Sequence, residues 1–212
     1  MAYQSANRAL SPINKRKILD AEEQDFSTFV HKLFIPTTFV SKYIPVTDHS
    51  IMTNDEVQDM IHHLINYNRT LGVFKRQCGK TSTLSAYAIW MAYNNPNYQI
   101  FFVAGRYTMQ NIIEDLALLN IPLYSKTITK IVFENGSTIT QGTSCCGHRA
   151  DLILVDEANF VNDKTFESLL PIANSYNSKV HMFSTICDPF ATFAMMYREA
   201  NAGNIPYIAF GG

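Results

Sequence analysis

No stretch of this 212-residue chain approaches the ~20 consecutive apolar residues that a helix needs to cross a bilayer. The N-terminal segment MAYQSANRALSPINKRK also lacks the apolar run of a secretory signal. An excess of charge of one sign is missing too. Lys and Arg number 17 against 18 Asp and Glu, a net charge of -1. That balance argues against a chain that coats nucleic acid by bulk charge, though it leaves room for a local basic track. The four cysteines, Cys78, Cys145, Cys146 and Cys187, contain no CxxC pair, and no His cluster stands at zinc-finger spacing. Free thiols in a reducing compartment are therefore expected. Internal repeats and low-complexity tracts are absent as well. The expectation is a soluble chain of the cell interior with no membrane association.

What is present suits a packed α/β domain. Hydrophobic residues make up 47% of the chain, too many for global disorder. The first fifty residues read as an N-terminal arm and a docking segment: polar at first, then apolar and aromatic from Phe26 to Ile44, and interrupted by Pro36 and Pro45. Residues 51–212 read as one domain. Thr53 or Asn54 would cap a helix whose apolar face runs through Val57, Met60, Ile61 and Leu64. Strand and helix then alternate. Strands are expected at Thr70–Lys75, Tyr98–Ala104, Leu152–Val155, Val180–Ser184 and Ile205–Phe210. Helices are expected at Lys80–Tyr93, Tyr107–Leu119, Lys164–Asn174 and Ala191–Ala200. Asn135-Gly136, between alternating segments, signals a hairpin within Thr127–Thr140. Such alternation implies a mostly parallel central sheet flanked by helices.

Two segments carry chemistry. Phe74-Lys75-Arg76-Gln77-Cys78-Gly79-Lys80-Thr81 falls between a strand and a helix. It matches the second half of the phosphate-loop pattern GxxxxGK[ST], with Phe74 where the first Gly would stand. A helix N-terminus at this place aims backbone N–H groups and the helix dipole at one anion. The nucleotide would lie against Arg76, Gln77, Cys78, Gly79, Lys80, Thr81 and Ser82, with Lys80 on its phosphates and the Thr81 hydroxyl on Mg²⁺. The plain alternative is a chance GKT at a helix start. The second segment is Leu152-Ile153-Leu154-Val155-Asp156-Glu157, an apolar strand ending in two carboxylates at the edge where open α/β sheets bind ligands. Asp156 would contact the metal, and Glu157 would orient and polarise the attacking water. Taken alone, this is a strand running into an acidic turn; the two motifs in this order point to a Mg²⁺-dependent ATPase. The stretch between them leaves room for an intervening strand, and with the spare Glu beside the metal Asp this indicates the RecA-like, additional-strand group of P-loop NTPases.

The loop RQCGKT, the hairpin IVFENGSTIT, the run LILVDEANFV and the later FST together resemble the large subunit of viral terminases, the DNA-packaging motors of tailed phages and herpesviruses. The wording VDEANF is especially similar to the herpesvirus branch. The resemblance covers about residue 53 onward. It implies ATP hydrolysis that drives double-stranded viral DNA into a preformed capsid, by a homo-oligomeric ring on the portal protein, with a small terminase subunit as partner. It also implies that Arg76 acts as an arginine finger in cis, that Ser184 and Thr185 form a coupling motif sensing the γ-phosphate, and that Gln58 contacts adenine. The host-cell interior follows, cytoplasm for a phage and nucleus for a herpesvirus-like virus.

There are departures from the family. Its Arg-Gly ahead of the acids is here Cys146-Gly147; either Arg149, close by, substitutes, or that contact is absent. Terminases continue into a nuclease domain, separate or downstream, that this chain does not contain, so DNA cleavage by it alone is not expected. Two other readings fit the same residues. One is a RecA-like helicase or remodelling ATPase, which would need a second such domain with its own arginine. The other is a non-hydrolysing nucleotide-binding scaffold, against which an intact Lys80, Glu157 and Arg76 speak. His62 and His63 read as polar surface and Trp90 as core. Lys126, Lys130, Arg106 and Arg198 read as a solvated face more readily than as a DNA track.

Overall fold

The computed structural model describes Phe26, Thr28, Phe29 and residues 55–105, 108–143 and 149–211. The N-terminal arm, most of the docking segment, Thr53, Asn54, Arg106, Cys145, Cys146 and Gly147 lie outside the described residues. In chain order, helix α1 spans Asp55–Asn66, β1 Arg69–Val73, α2 Lys80–Asn94, β2 Gln99–Val103 and α3 Thr108–Leu118. Three short strands follow, β3 Leu123–Lys126, β4 Lys130–Phe133 and β5 Thr138–Gln141. The last part holds β6 Leu152–Asp156, α4 Asp163–Ser175, β7 Lys179–Ser184, α5 Thr192–Asn201 and β8 Ile208–Gly211, with a 3-10 turn at Ala158–Phe160.

The strands form one sheet in the order β3-β4-β5-β2-β6-β7-β1-β8. Every pair from β5 to β8 across that sheet is parallel, and only β3–β4 and β4–β5 are antiparallel. Alternate residues of the parallel strands bury into opposite faces, as a two-fold side-chain period requires. Ile100, Phe102, Leu152 and Leu154 join α1, α2 and α3 in one core, together with Phe26, whose ring meets Tyr87 and Trp90 at 5.3 and 5.2 Å. Phe101, Val103, Ile153, Val155, Val180 and Met182 join α4 and α5 in the other. Helix α2 buries residues around most of its circumference, Lys80, Tyr87 and Trp90 among them.

One strand, β7, stands between the phosphate-loop strand β1 and the acid strand β6. The expected intervening strand exists, but it comes from beyond Asp156 rather than from the stretch between the motifs. In register, Val73 lies opposite Ser184, and Asp156 opposite Phe183. The carboxyl ends of β6, β7 and β1 therefore deliver the two acids, the Ser184-Thr185 pair and the phosphate loop side by side. Among the described residues, no helix is long and apolar enough to cross a membrane.

Candidate active site

Phe74, in the place of the pattern's first glycine, fastens the start of the loop to the sheet. Its amide donates to the Ser184 carbonyl at 3.0 Å, and its ring packs edge-on to Phe183 and Phe210. Left-handed backbone at Gln77 (φ 62°) and Gly79 (φ 90°) then curls the chain into the first turn of α2. The first helical bond runs from Thr83 N to the Gly79 carbonyl at 2.9 Å, and Gly79 supplies no side-chain cap. The amides of Lys80, Thr81 and Ser82 are therefore left without helical acceptors at the positive end of a 15-residue helix. An anion fits that place. Val57 packs 3.5 Å from where a Gly79 Cβ would stand, so the first turn of α1, which carries the exposed Gln58, lies beside the loop.

Lys80 is 4% exposed, and its Nζ converges on three elements. It donates to the Lys75 carbonyl at 2.7 Å, lies 3.4 Å from Thr185 Oγ1, and stands 3.9 Å from Glu157 Oε1. Thr81 Oγ1 donates to Asp156 Oδ2 at 2.6 Å, while the Glu157 amide donates to Asp156 Oδ1 at 3.1 Å. Burial pushes the Asp156 carboxyl above its ordinary range; the Thr81 bond opposes this, nearby Glu157 adds to it, and Lys80 opposes it. A divalent cation would remove that penalty. The converging donor set, one hydroxyl and one carboxylate at the end of a strand, is of the hard-oxygen kind that Mg²⁺ uses together with substrate phosphates. The residues present fit both the metal and a nucleoside triphosphate.

Glu157 sits in left-handed backbone (φ 52°), an uncommon conformation for a non-glycine residue, with its side chain 44% exposed. Its Oε2 lies 3.5 Å from Ser184 Oγ. Thr185 Oγ1 donates to the Phe74 carbonyl at 3.0 Å, so the residue after β7 touches both the loop backbone and Lys80. Arg76 is exposed, its guanidinium 3.9 Å from Cys187 Sγ. Burial pushes the Cys78 thiol upward, with Lys80 partly offsetting it; Cys78 and Cys187 are both free thiols.

The structure thus brings together Arg76, Gln77, Cys78, Gly79, Lys80, Thr81, Ser82, Asp156, Glu157, Ser184 and Thr185. Gln58 lies at the rim, on α1. Reading the sequence missed Asn159, 5% exposed and hydrogen-bonded from its backbone to Ser184 Oγ at 3.0 Å. An asparagine after two acids signals a turn, which gives no hint of its distant partner. Arg149, suggested as a substitute arginine, pairs instead with Asp151 at 3.3 Å. His63 is no bare surface residue either, since its ring stacks on Phe210 at 3.7 Å. Lys126 and Lys130 are exposed, and Arg198 donates to the Pro189 carbonyl.

The sheet order, with β7 between β1 and β6, and the loop that joins β1 to α2 define an α/β P-loop fold of the RecA-like group. Within it, the fold is that of the ATPase domain of phage large terminases. The Thermus phage P74-26 large terminase ATPase domain is similar at a TM-score of 0.60 and 16% identity, over 73% of this chain and 78% of that one. A point mutant of that domain gives 0.61 and 16%, over 74% and 80%. The large terminase of a thermophilic bacteriophage in complex with ATP-gamma-S gives 0.56 and 14%, over 70% of this chain and 40% of the longer one. No family model matches the sequence, and no curated protein does.

Proposed function

We propose that this chain is the Mg²⁺-dependent ATP-hydrolysing domain of a viral DNA-packaging motor, a terminase large subunit. The observation that carries the reading is the convergence of Lys80 and Thr81, which open α2 after β1, with Asp156 and Glu157 at the carboxyl end of β6, one strand away, Thr81 and Asp156 being 2.6 Å apart. Lys80 and the amides opening α2 would hold the β- and γ-phosphates. Thr81 and Asp156 would hold Mg²⁺, which when bound neutralises charge on the phosphate oxygens. Glu157 would orient water for attack on the γ-phosphorus and take its proton. Arg76 would leave Cys187 to meet the charge that develops on the transferring group. Gln58, beside the loop, would read the adenine. Ser184 and Thr185, tied to Glu157, Lys80 and the loop backbone, would relay hydrolysis to movement of double-stranded DNA. The ring on the portal, the small subunit and a nuclease domain belong to the same reading.

The test is ATP turnover with Mg²⁺ and DNA by wild type and Glu157→Gln, with nucleotide affinity followed in parallel. The variant is expected to bind ATP within about threefold of wild type and to turn it over at least about a hundredfold more slowly. Wild type that binds ATP yet never hydrolyses it, with DNA and portal present, would turn the conclusion to a nucleotide-binding scaffold.

A further inference from the structure

The segment that follows β7 has little of its own to hold it. Residues 186–190 are all exposed, and Thr185 touches both the phosphate loop and Lys80. Three residues further, one buried side chain grips this segment. With its amide turned to satisfy both partners, Asn159 Nδ2 donates to the Asp188 carbonyl at 3.1 Å and Oδ1 accepts from the Asp188 amide at 2.9 Å. This is the paired bonding of one strand residue to its neighbour, made here by a side chain. Asp188 then closes a turn through its Oδ1, which accepts from the Phe190 amide at 2.8 Å.

Asn159 also works from its backbone. Its amide donates to Ser184 Oγ, occupying a lone pair of that hydroxyl. The single Ser184 proton then has two acceptors within reach, Glu157 Oε2 at 3.5 Å and the Thr185 carbonyl at 3.1 Å. A hydroxyl with one proton satisfies one of them fully at a time. Asn159 thus fixes both ends of a short path: the serine beside Glu157, and the strap whose first residue reaches Lys80.

We infer that Asn159 is a positioning residue for the proposed hydrolysis. It holds the 185–190 strap against the turn that carries Glu157, so that Ser184 and Thr185 respond to the nucleotide as one unit. The inference rests on the ATPase reading. Arg198 also holds the strap, through the Pro189 carbonyl at 2.9 Å, but Asn159 is the buried side chain that ties it to the turn carrying Glu157. Losing the two side-chain bonds should slow the chemical step without weakening the grip on nucleotide, because the bonds of Asn159 run to Ser184 and Asp188 and not to the amides that open α2.

The experiment compares wild type, Asn159→Ala and Phe160→Ala, the last a control on an exposed neighbour in the same turn. Turnover, ATP affinity and amide exchange across 185–190 are read with and without ATP-gamma-S. For Asn159→Ala we expect turnover to fall about tenfold or more, ATP affinity to stay within about twofold, and exchange at Asp188 and Phe190 to rise. The nucleotide-induced protection of the strap in wild type should vanish in the variant, and Phe160→Ala should match wild type throughout. Unchanged exchange overturns the inference, as does faster exchange with unaltered turnover. So does a loss of turnover matched by equal losses of affinity and thermal stability, which would mark a purely structural role. Failure of wild type itself to hydrolyse ATP would overturn the ATPase reading instead, and retained strap protection in Asn159→Ala would still count against the inference by itself.

Discussion

Asp156 ties the stability of the fold to the proposed metal site. Burial raises its carboxyl above the ordinary 3.8, so the folded chain holds that proton more tightly than the unfolded chain does. The stabilisation this gives is complete below the ordinary value and is lost as pH rises through the folded one. At neutral pH the ionised carboxylate therefore weakens the empty fold, and a cation reverses the effect. Asp156→Asn should melt no lower than wild type at pH 7.5 without ligand, and the further rise that Mg²⁺ with ATP gives wild type should disappear. A full Mg²⁺-dependent rise in the variant would remove Asp156 from the metal. That Lys80, Thr81, Asp156 and Glu157 meet was legible in the sequence, because each stands at a strand end or helix start marked by local spacing. Asn159, and the reach of Thr185 to Lys80, were not. Each is a bond between distant chain positions, and nothing in the neighbouring residues marks it.

Among the elements, the strands and helices around the site follow the apolar patterns closely, with boundaries differing by a few residues. Strand β3 was missed because Tyr124, Ser125 and Lys126 are all exposed. It is held by main-chain pairing to β4, which needs no apolar pattern. The Asn135-Gly136 turn was read as a hairpin, and it is one, but Asn135 Nδ2 also donates to the Ala92 and Tyr93 carbonyls at the end of α2. Gly72 gives the sharpest prediction here. A Cβ on it would come within 2.7 Å of Phe74, 2.9 Å of Phe183 and 2.9 Å of Phe210, all ring atoms. The aromatic cluster that replaces the missing loop glycine closes over this position, so β1 has to be bare there. Gly72→Ala should cost about 1–3 kcal/mol by overpacking, read from urea unfolding. It should weaken ATP binding as well, since displacing Phe74 shifts the adjoining Lys75 carbonyl that holds Lys80. Stability and affinity equal to wild type would show that the rings yield freely.

On the scale of the whole molecule, acid acts through buried groups of opposite sign. His181, in the middle of β7, is fully buried; its Nδ1 meets Thr70 Oγ1 at 2.8 Å, Tyr87 packs edge-on to its ring, and Nε2 has no partner. Burial pulls its pKa down from 6.5 to about 3, with Lys179 and His63 adding to the effect. The fold keeps this imidazole neutral. That contribution is complete above 6.5 and declines as pH falls towards 3, a loss of about 2 kcal/mol between pH 7 and pH 5. Asp115, on α3, runs the other way. Burial, with Glu114, pushes its pKa up from 3.8 to about 6, so over the same interval it takes up a proton in the folded state and adds about 1 kcal/mol. Asp156 acts on the same side as Asp115. Wild type should therefore show a shallow pH dependence between 7 and 5 that hides two steeper ones. Urea unfolding at both values separates them. Relative to wild type, His181→Leu should gain stability at pH 5 against its own value at pH 7, and Asp115→Asn should lose it. If both variants keep the wild-type difference, the acid response of this fold does not come from these two buried groups.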